Sequence, residues 1–279
     1  MGDQIGLRAV ADQLGVHYMT AYRYVRSGRL PASKVDGEWM IDPDDLVRLR
    51  ERPMPAGRPV GAAPRTVHRE RLEARLIAGD EVGSWGVVEA ALGSGATPAE
   101  VLGELIGPAL TSIGARWAAG ELSIADEHRG SAVAHRLIAR LGPRFARPGR
   151  RRGRVVLGSA PGDQHSLPTA ILSDLLRGAG LEVVDLGADC PAGSFVDAAD
   201  VVGRPCVIGV CVTAPEVLPV VPELLDELRR DLEDCEVIAG GGAIDPDVDL
   251  DATVDRFVTL ASRARALPSS RDRGLGSGA

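Results

Sequence analysis

The spacing of hydrophobic residues changes along the chain, and its first part mixes helical and extended patterns. Apolar residues recur at helical spacing over residues 5–14, and a second helix is predicted over residues 18–27. Residues 34–41 have Asp36-Gly37 near their centre, a dipeptide typical of a tight hairpin turn. Two short helices followed by a hairpin predict a winged helix-turn-helix over residues 1–50.

Helical spacing also dominates the middle of the chain. It comes after residues 51–66, which are rich in Pro and Gly and are interpreted as a linker. Within residues 67–143, Thr97 with Glu100 and Ser123 with Asp126 have the residue types of capping boxes, which satisfy free N–H groups where a helix begins. This region is therefore predicted to be a four-helix bundle.

Short apolar runs alternate with helical stretches in the last part of the chain. Strands are predicted over residues 155–159, 182–186, 206–212, 237–239 and 256–259, and helices over residues 169–177, 194–202 and 219–230. This alternation predicts a parallel sheet covered on both faces, in a flavodoxin-like (Rossmann-type) α/β domain over residues 152–266. Residues 267–279, rich in Ser, Gly and Arg, are predicted to be a disordered tail.

Composition and charge narrow the class of protein. The chain of 279 residues is 44% hydrophobic, which is enough for more than one core. Its four cysteines have no CxxC spacing, and no run is apolar enough to span a membrane, so we expect a cytoplasmic protein with reduced thiols. The net charge of −7 is unevenly distributed, because residues 1–75 hold 13 Lys/Arg against 10 Asp/Glu. A nucleic-acid-binding domain at the front would explain this split, although chance would also produce it.

An Asp-x-His pair lies on the loop between the first predicted strand and helix of the α/β domain. Open parallel sheets bind ligands at such loops. The imidazole of His165 can bind a metal through one nitrogen while the carboxylate of Asp163 accepts the proton of the other. The alternative is a loop histidine that caps the following helix.

The spacing of three motifs extends this hypothesis. Asp163-x-His165-x-x-Pro168 is followed after 42 residues by Cys211-x-Thr213, and after a further 26 residues by Gly240-Gly241. This pattern resembles the cobalamin-binding domain shared by methionine synthase, corrinoid carrier proteins and cobalamin-dependent regulators. The resemblance implies that His165 is the axial ligand of cobalt and that the two glycines leave room for the nucleotide tail of the cofactor. Two residues differ from the family pattern, Pro168 in place of glycine and Cys211 in place of serine, and Thr213 is an alternative hydroxyl donor.

The helical bundle contains the motif Trp117-x9-Glu127-His128. It is similar to the signature of the CarH/LitR photoreceptors, transcription factors whose helical cap covers the upper face of adenosylcobalamin. The resemblance implies that Trp117, Glu127 and His128 contact the adenosyl group. Core packing of Trp117 and a solvent-exposed Glu127 are the alternatives.

One difference from this family concerns light. In CarH members the residue after the tryptophan is a histidine that captures cobalt once the adenosyl group is lost, whereas this chain has Ala118. His135, seven residues after His128, is a candidate substitute or a surface histidine.

Residues 16–31 resemble the recognition segment of MerR-type and excisionase-type winged helices. In those families the second helix enters the major groove and the wing contacts the DNA backbone. Five residues are candidate DNA contacts, namely Thr20, Tyr22, Arg23, Arg26 and Lys34. The alternative is a protein-protein module.

Taken together, the resemblances imply a cobalamin-dependent transcriptional regulator of the CarH/LitR type, a repressor rather than an enzyme. Adenosylcobalamin would control assembly into homodimers or homotetramers and thereby binding to operator DNA. A corrinoid carrier protein for a methyltransferase is one alternative, and a light-independent sensor of cobalamin or of another ligand is a second.

Overall fold

The computed structural model describes residues 5–14, 25, 30–35, 38–45, 65–146, 148–246 and 248–264. They fall into two compact units, within residues 1–60 and residues 61–279. None of the helices in this part of the chain combines the length and apolarity needed to cross a bilayer.

The first unit contains a small antiparallel sheet. Its elements are β1 (Ile5–Gly6), α1 (Leu7–Leu14), β2 (Ser33–Val35) and β3 (Glu38–Ile41), and β3 pairs with both other strands. The two strands of the predicted hairpin are confirmed. The helix predicted over residues 5–14 is wrong at its start, because Ile5 pairs with Ile41 instead. Apart from Val25, the second predicted helix lies outside the described residues.

The second unit begins with the predicted helical bundle. Its helices are α2 (Arg65–Ile77), α3 (Glu81–Gly93), α4, which runs through the segments Pro98–Glu100, Val101–Ile106 and Gly107–Ala118, and α5 (Ile124–Leu141). Both predicted capping boxes are present, at Thr97 and at Ser123. The middle segment of α4 is a π-helix, and all four of its apolar side chains are buried.

The α/β part of this unit follows a short 3-10 helix, Gly142–Phe145. Its elements are β4 (Arg154–Ser159), α6 (Leu167–Gly178), β5 (Glu182–Asp185), α7 (Ala192–Val202), β6 (Val207–Cys211), α8 (Val221–Asp231), β7 (Glu236–Gly240) and α9 (Leu250–Ala264), with a 3-10 turn, Pro215–Val220, before α8. The strands are parallel in the order β5-β4-β6-β7. The predicted parallel sheet is therefore confirmed.

The strand predicted over residues 256–259 is wrong, because this segment lies within α9. Phe257, Ala261 and Ala264 are buried at helical spacing, and the ring of Phe257 packs against the backbone of β6 at Gly209. The β-branched residues in this segment favour a strand locally. A helix, however, places all three apolar side chains on one face, where they are buried against the sheet.

Apolar side chains cover the sheet on both faces and join it to the helical bundle. Along β4, Val156 belongs to the core under α7 and α8, whereas Val155 and Leu157 belong to the core under α6 and α9. Ile171 and Leu175 of α6 are part of the core of the bundle. The bundle and the sheet therefore share buried surface, which fixes the bundle next to the loop after β4.

Candidate functional site

The candidate site lies where the chain direction reverses across the sheet. From β4 the chain passes first to β5 on one side and then to β6 on the other, so a topological switch point lies between the carboxyl ends of β4 and β6. Crevices at such switch points are the usual ligand sites of open α/β sheets. The loop after β4 carries Asp163 and His165, and the loop after β6 carries Thr213.

Asp163 connects these two loops. Its side chain is fully buried, and its Oδ2 accepts hydrogen bonds from the backbone N–H groups of Thr213 at 2.6 Å and Ala214 at 3.2 Å. Its Oδ1 accepts from the backbone N–H of His165 at 3.1 Å and lies 2.7 Å from Nδ1 of the His165 ring. Burial alone would raise the pKa of this carboxyl, but the four hydrogen bonds together hold the pKa below its ordinary value. Asp163 is therefore an anion with all its partners in place.

The hydrogen bond to Asp163 determines which nitrogen of His165 is available to a ligand. A carboxylate that accepts from Nδ1 keeps the proton there and leaves the lone pair on Nε2. Within the described residues Nε2 makes no hydrogen bond, and the side chain is 53% exposed. The backbone of His165 is held as well, since its carbonyl accepts from the buried hydroxyl of Ser159 at 2.6 Å. The site thus presents a fixed imidazole with a free nitrogen.

Asp189 is a residue that sequence reasoning missed. It has a left-handed backbone, with φ of 53°, on the loop after β5. Its Oδ1 accepts from the backbone N–H of Gly162 at 2.7 Å, and its own N–H donates to the carbonyl of Asp163 at 2.9 Å. Hydrogen bonds from Gly162 and Gln164 lower the pKa of its carboxyl. Asp189 therefore holds the loop that carries His165 in place through hydrogen bonds. No short-range sequence pattern predicts this role, because its partner Gly162 lies 27 residues earlier in the chain.

The two glycines after β7 differ in what limits them. A Cβ on Gly241, which has φ of +122°, would lie 2.6 Å from the carbonyl oxygen of Val212, so this position requires glycine. A Cβ on Gly240 would meet no atom within 4 Å. Of these two glycines, only Gly240 borders open space. That Gly240 leaves room for a ligand stays a prediction, whereas Gly241 is required by its close approach to Val212.

Cys211 and Thr213 both lie at the end of β6. The Cys211 sulfur is 3.7 Å from the hydroxyl oxygen of Thr213. Burial raises the pKa of the Cys211 thiol to about 11, so the thiol keeps its proton at neutral pH. It can then donate a weak hydrogen bond, as the serine of the family pattern would.

Pro168 also fits its position. It lies in the first turn of α6, where backbone N–H groups have no partner within the helix, so the missing N–H of proline costs little.

Helix α5 carries Glu127 in its first turn. The carboxylate of Glu127 lies 2.5 Å from Nδ1 of His128 and accepts from the hydroxyl of Ser131 at 2.5 Å. Partial burial raises the pKa of Glu127, but these hydrogen bonds and the nearby charges of His128 and His165 together lower it. The Glu127 carboxylate is thus bonded to His128 and Ser131 of its own helix, and His165 is near enough to influence its pKa.

The other candidate residues of the bundle are more exposed. Trp117, at the end of α4, is 46% exposed, and the side chain of His128 is 74% exposed. Core packing of Trp117 is therefore excluded. Ala118 is also exposed. His135, two turns further along α5, has Nε2 3.3 Å from the hydroxyl of Ser166, so it links the bundle to the loop beside His165.

Of the candidate DNA contacts, only Lys34 lies within the described residues. It is exposed on β2, opposite Trp39 of β3. Thr20, Tyr22, Arg23 and Arg26 lie outside the described part of the chain.

Comparison with known families agrees with this division of the chain. Two family models, both described as B12 binding domain, match residues 153–264 and residues 68–141. A model described as helix-turn-helix domain matches residues 7–53. The chain thus combines a helix-turn-helix domain with a two-part cobalamin-binding region, and the predicted fold class is confirmed.

Individual relatives point to corrinoid proteins. The chain is 31% identical over 136 residues to a corrinoid protein of Desulfitobacterium hafniense, an alignment that covers 47% of this chain and 62% of that protein. It is 29% identical over 164 residues to the dimethylamine corrinoid protein of Methanosarcina barkeri, covering 56% of this chain and 74% of the relative. The first alignment therefore spans less than two thirds of the relative.

A solved structure shares the fold of the second unit. The monomethylamine corrinoid protein of Methanosarcina barkeri superposes with a TM-score of 0.55 at 17% identity, covering 72% of this chain and 98% of that chain.

Proposed function

We propose that this protein is a DNA-binding transcriptional regulator that responds to adenosylcobalamin, similar to the CarH/LitR family. The observation that carries the proposal is the occurrence of a helix-turn-helix domain and a two-part B12 binding region in one chain. A protein that only carries a corrinoid between enzymes has no use for the first of these.

The residues of the crevice fit a corrinoid. His165 would bind cobalt through Nε2, because Asp163 holds its other nitrogen. Gly240 would leave room for the nucleotide tail, since its position borders open space, while Cys211 or Thr213 would donate a hydrogen bond to it. Gly241 would keep the chain close to Val212 and so shape the slot.

The residues of the bundle would contact the upper side of the cofactor. Trp117 offers an exposed aromatic face, and Glu127 with His128 offers polar groups. Bound adenosylcobalamin supplies a weak, light-sensitive cobalt-carbon bond and a bulky group that a helical cap can sense. In this proposal residues 67–143 form the cap and residues 152–266 form the sheet domain below it.

Residues 1–50 would bind operator DNA, with residues 51–66 as the linker. Thr20, Tyr22, Arg23 and Arg26 are the proposed contacts of the recognition helix, and Lys34 is the proposed contact of the wing. One winged helix covers one half-site and binds weakly, so useful affinity needs a dimer or tetramer. The cofactor would regulate DNA binding by promoting this assembly, and repression is the expected outcome.

The first test measures cofactor binding to the full chain. Adenosylcobalamin is titrated into wild-type protein, His165→Ala and, as a matched control, His68→Ala, whose histidine lies on α2 in the bundle. We expect the base-off absorption spectrum with wild type and His68→Ala, and its loss with His165→Ala. An unchanged spectrum for His165→Ala would exclude this residue as the ligand.

The second test measures assembly and DNA binding together. Size-exclusion chromatography in the dark should show a larger species with adenosylcobalamin than without it. DNA selected from a random library should bind the loaded wild type and not Arg23→Ala/Arg26→Ala, which keeps the cofactor. An elution volume that does not respond to the cofactor contradicts the proposed mechanism.

A corrinoid carrier protein for a methyltransferase is the second candidate, favoured by the names of the relatives. Cofactor binding without selection of any DNA would support it. A sensor of a different ligand is a third, and a failure of the wild type to bind adenosylcobalamin would support that one.

A further inference from the structure

Two cysteines lie next to each other at the amino ends of β6 and β7, at the opposite end of these strands from the candidate site. Cys206 directly precedes β6 and Cys235 directly precedes β7, and their sulfur atoms are 3.5 Å apart. The backbone N–H of Glu236 donates to the carbonyl of Cys206 at 3.1 Å, so the pairing of the two strands continues up to these residues. Neither cysteine belongs to the motifs that define the crevice.

The backbone geometry suits a covalent link between them. Neighbouring strands lie about 4.7–4.9 Å apart, and the Cα atoms of disulfide-linked cysteines are separated by about 4.4–6.8 Å. Because Cys206 and Cys235 are neighbours on adjacent parallel strands, a bond between their sulfur atoms needs no large movement of the chain.

The two thiols differ in exposure and surroundings. Cys206 is fully buried, whereas Cys235 is partly exposed. Asp234 and Arg204 lie beside Cys235, with 3.7 Å between the Arg204 guanidinium and the Asp234 carboxylate. The contact with Cys206 lowers the pKa of the Cys235 thiol and raises that of Cys206. Cys235 is thus the thiol that a small molecule reaches, and Cys206 is placed to react with it afterwards.

We propose that Cys206 and Cys235 form a redox-active dithiol that hydroperoxides convert into a reversible disulfide. The sulfur of Cys235 attacks the hydroxyl oxygen of the hydroperoxide, so that an S–O bond forms and the O–O bond breaks, and the other oxygen leaves as water or as an alcohol with the proton of the Cys235 thiol. The sulfur of Cys206 then attacks that of Cys235. The S–S bond forms, the S–O bond breaks, and the oxygen leaves as water with the proton of the Cys206 thiol. The dithiol loses one electron pair, which the hydroperoxide gains.

This disulfide would join β6 and β7, the two strands that lead to candidate cofactor-binding residues. β6 leads to Cys211 and Thr213, and β7 leads to Gly240 and Gly241. The chain would thus have a peroxide-sensitive site at one end of the strands that form its candidate cofactor site. The inference does not depend on cobalamin or on DNA.

The test counts free thiols in the full-length protein. Reduced, desalted protein is treated with hydrogen peroxide, unfolded and alkylated, and the number of alkylated cysteines is read by mass spectrometry. The chain has four cysteines, so we expect the count to fall from four to two and to return to four with dithiothreitol. Peptide mapping should find Cys206 joined to Cys235 within one chain.

Variants separate this pair from the other cysteines. Cys190→Ser/Cys211→Ser keeps the pair, and peroxide should remove all of its remaining thiols. Cys206→Ser should yield a sulfenic acid on Cys235 that a dimedone probe captures, with no disulfide. Four thiols remaining after treatment of wild type, or a disulfide that maps to other cysteines or to a second chain, would overturn the proposal. The wild-type count stands by itself if a variant does not fold.

Discussion

At the scale of single residues, the site depends on how firmly one imidazole is held. Within the described residues no Lys or Arg side chain is bonded to the buried Asp163, and backbone N–H groups from the loop after β6 offset the cost of burying its charge. The same carboxylate orients His165. A change at any residue that fixes this loop should therefore alter the position of the His165 imidazole without touching it.

Asp189 gives a prediction of this kind. Asp189→Asn keeps a side chain that accepts from Gly162 and tolerates the left-handed backbone, whereas Asp189→Ala loses the hydrogen bond and fits this backbone less well. We expect Asp189→Ala to bind adenosylcobalamin about tenfold more weakly, within the range found for groups that orient a metal ligand, and Asp189→Asn to match the wild type. Absorption titrations measure both. Equal affinities of the two variants would show that the loop does not need Asp189.

The two glycines after β7 give a second prediction. Gly241→Ala forces a Cβ into the carbonyl of Val212 and should destabilise the fold by about 1–3 kcal/mol. Gly240→Ala adds a Cβ in open space and should change stability by less than about 0.5 kcal/mol. If the nucleotide tail needs this space, Gly240→Ala loses about 1–3 kcal/mol of binding, or roughly 5- to 150-fold in affinity. Denaturation curves and cofactor titrations give the two quantities. Full affinity in Gly240→Ala would contradict the placement of the tail.

At the scale of elements, the sequence predicts features that depend on neighbouring residues, such as helix caps. It does not predict contacts between residues that are far apart in the chain. The capping boxes at Thr97 and Ser123 depend on residues three positions apart, so the sequence alone predicted them. The contact between Asp163 and Thr213 spans 50 residues and depends on β4 lying beside β6. The motif spacing selects the candidate residues, but the way Asp163 and Thr213 meet is determined by strand order.

Long-range packing also explains why the strand predicted over residues 256–259 is wrong and the segment lies in α9. The side chain of Asp249 accepts from the N–H groups of Asp251 and Ala252 and caps α9, a signal that the sequence does contain. The β-branched residues around Phe257 favoured a strand because their propensity was weighed without the burial of Ala261 and Ala264.

Asp174 on helix α6 should make the stability of the protein depend on pH. Asp174 lies in a cleft of about 500 Å³ between α5, α6 and the end of β5, and its side chain is 3.0 Å from Arg177. Burial raises the pKa of its carboxyl despite the ion pair with Arg177. A raised folded-state pKa means that the stability from this group is fully present below its ordinary value of 3.8 and is lost as the pH rises through the folded-state pKa.

Asp174→Asn removes this titration. We expect the variant to become more stable relative to wild type as the pH rises from about 4 toward 7, whatever the difference at the acidic end. Urea denaturation of the cofactor-free protein at several pH values measures it. Asp226→Asn, which replaces an exposed carboxylate on α8, is the matched control. A constant difference between wild type and Asp174→Asn would mean that burial of Asp174 does not favour its neutral form.

At the scale of the whole molecule, the chain is divided into two compact units, within residues 1–60 and residues 61–279. The bundle and the sheet share a core, so a ligand between them acts on one compact body. The excess of positive charge lies in residues 1–75 and the excess of negative charge in the rest. If residues 1–50 bind DNA as proposed, their binding would gain most when several copies are brought together, so oligomer size is the observable that tests the proposal.

Ala118 determines how the proposed cofactor site responds to light. Its side chain cannot bind a metal, and Nε2 of His135 already contacts Ser166. After loss of the adenosyl group, the proposed site would hold cobalt through His165, unless His128 or another side chain of the bundle took the place of the missing histidine. We therefore expect anaerobic green light and subsequent gel filtration to strip cobalamin from wild type. Ala118→His should keep it, because a histidine at this position can hold the cobalt from the other side.

Dark samples provide the control for this experiment, since wild type and Ala118→His should then retain the cofactor equally. A third sample, His165→Ala, should retain none in either condition. If illuminated wild type keeps as much cobalamin as Ala118→His, another side chain takes the place of the missing histidine. His135→Ala identifies it, because loss of retention in that variant assigns the role to His135 and unchanged retention excludes it. Either result shows whether a cap that ends in Trp117-Ala118 can work as a lasting light switch or only as a sensor of intact adenosylcobalamin.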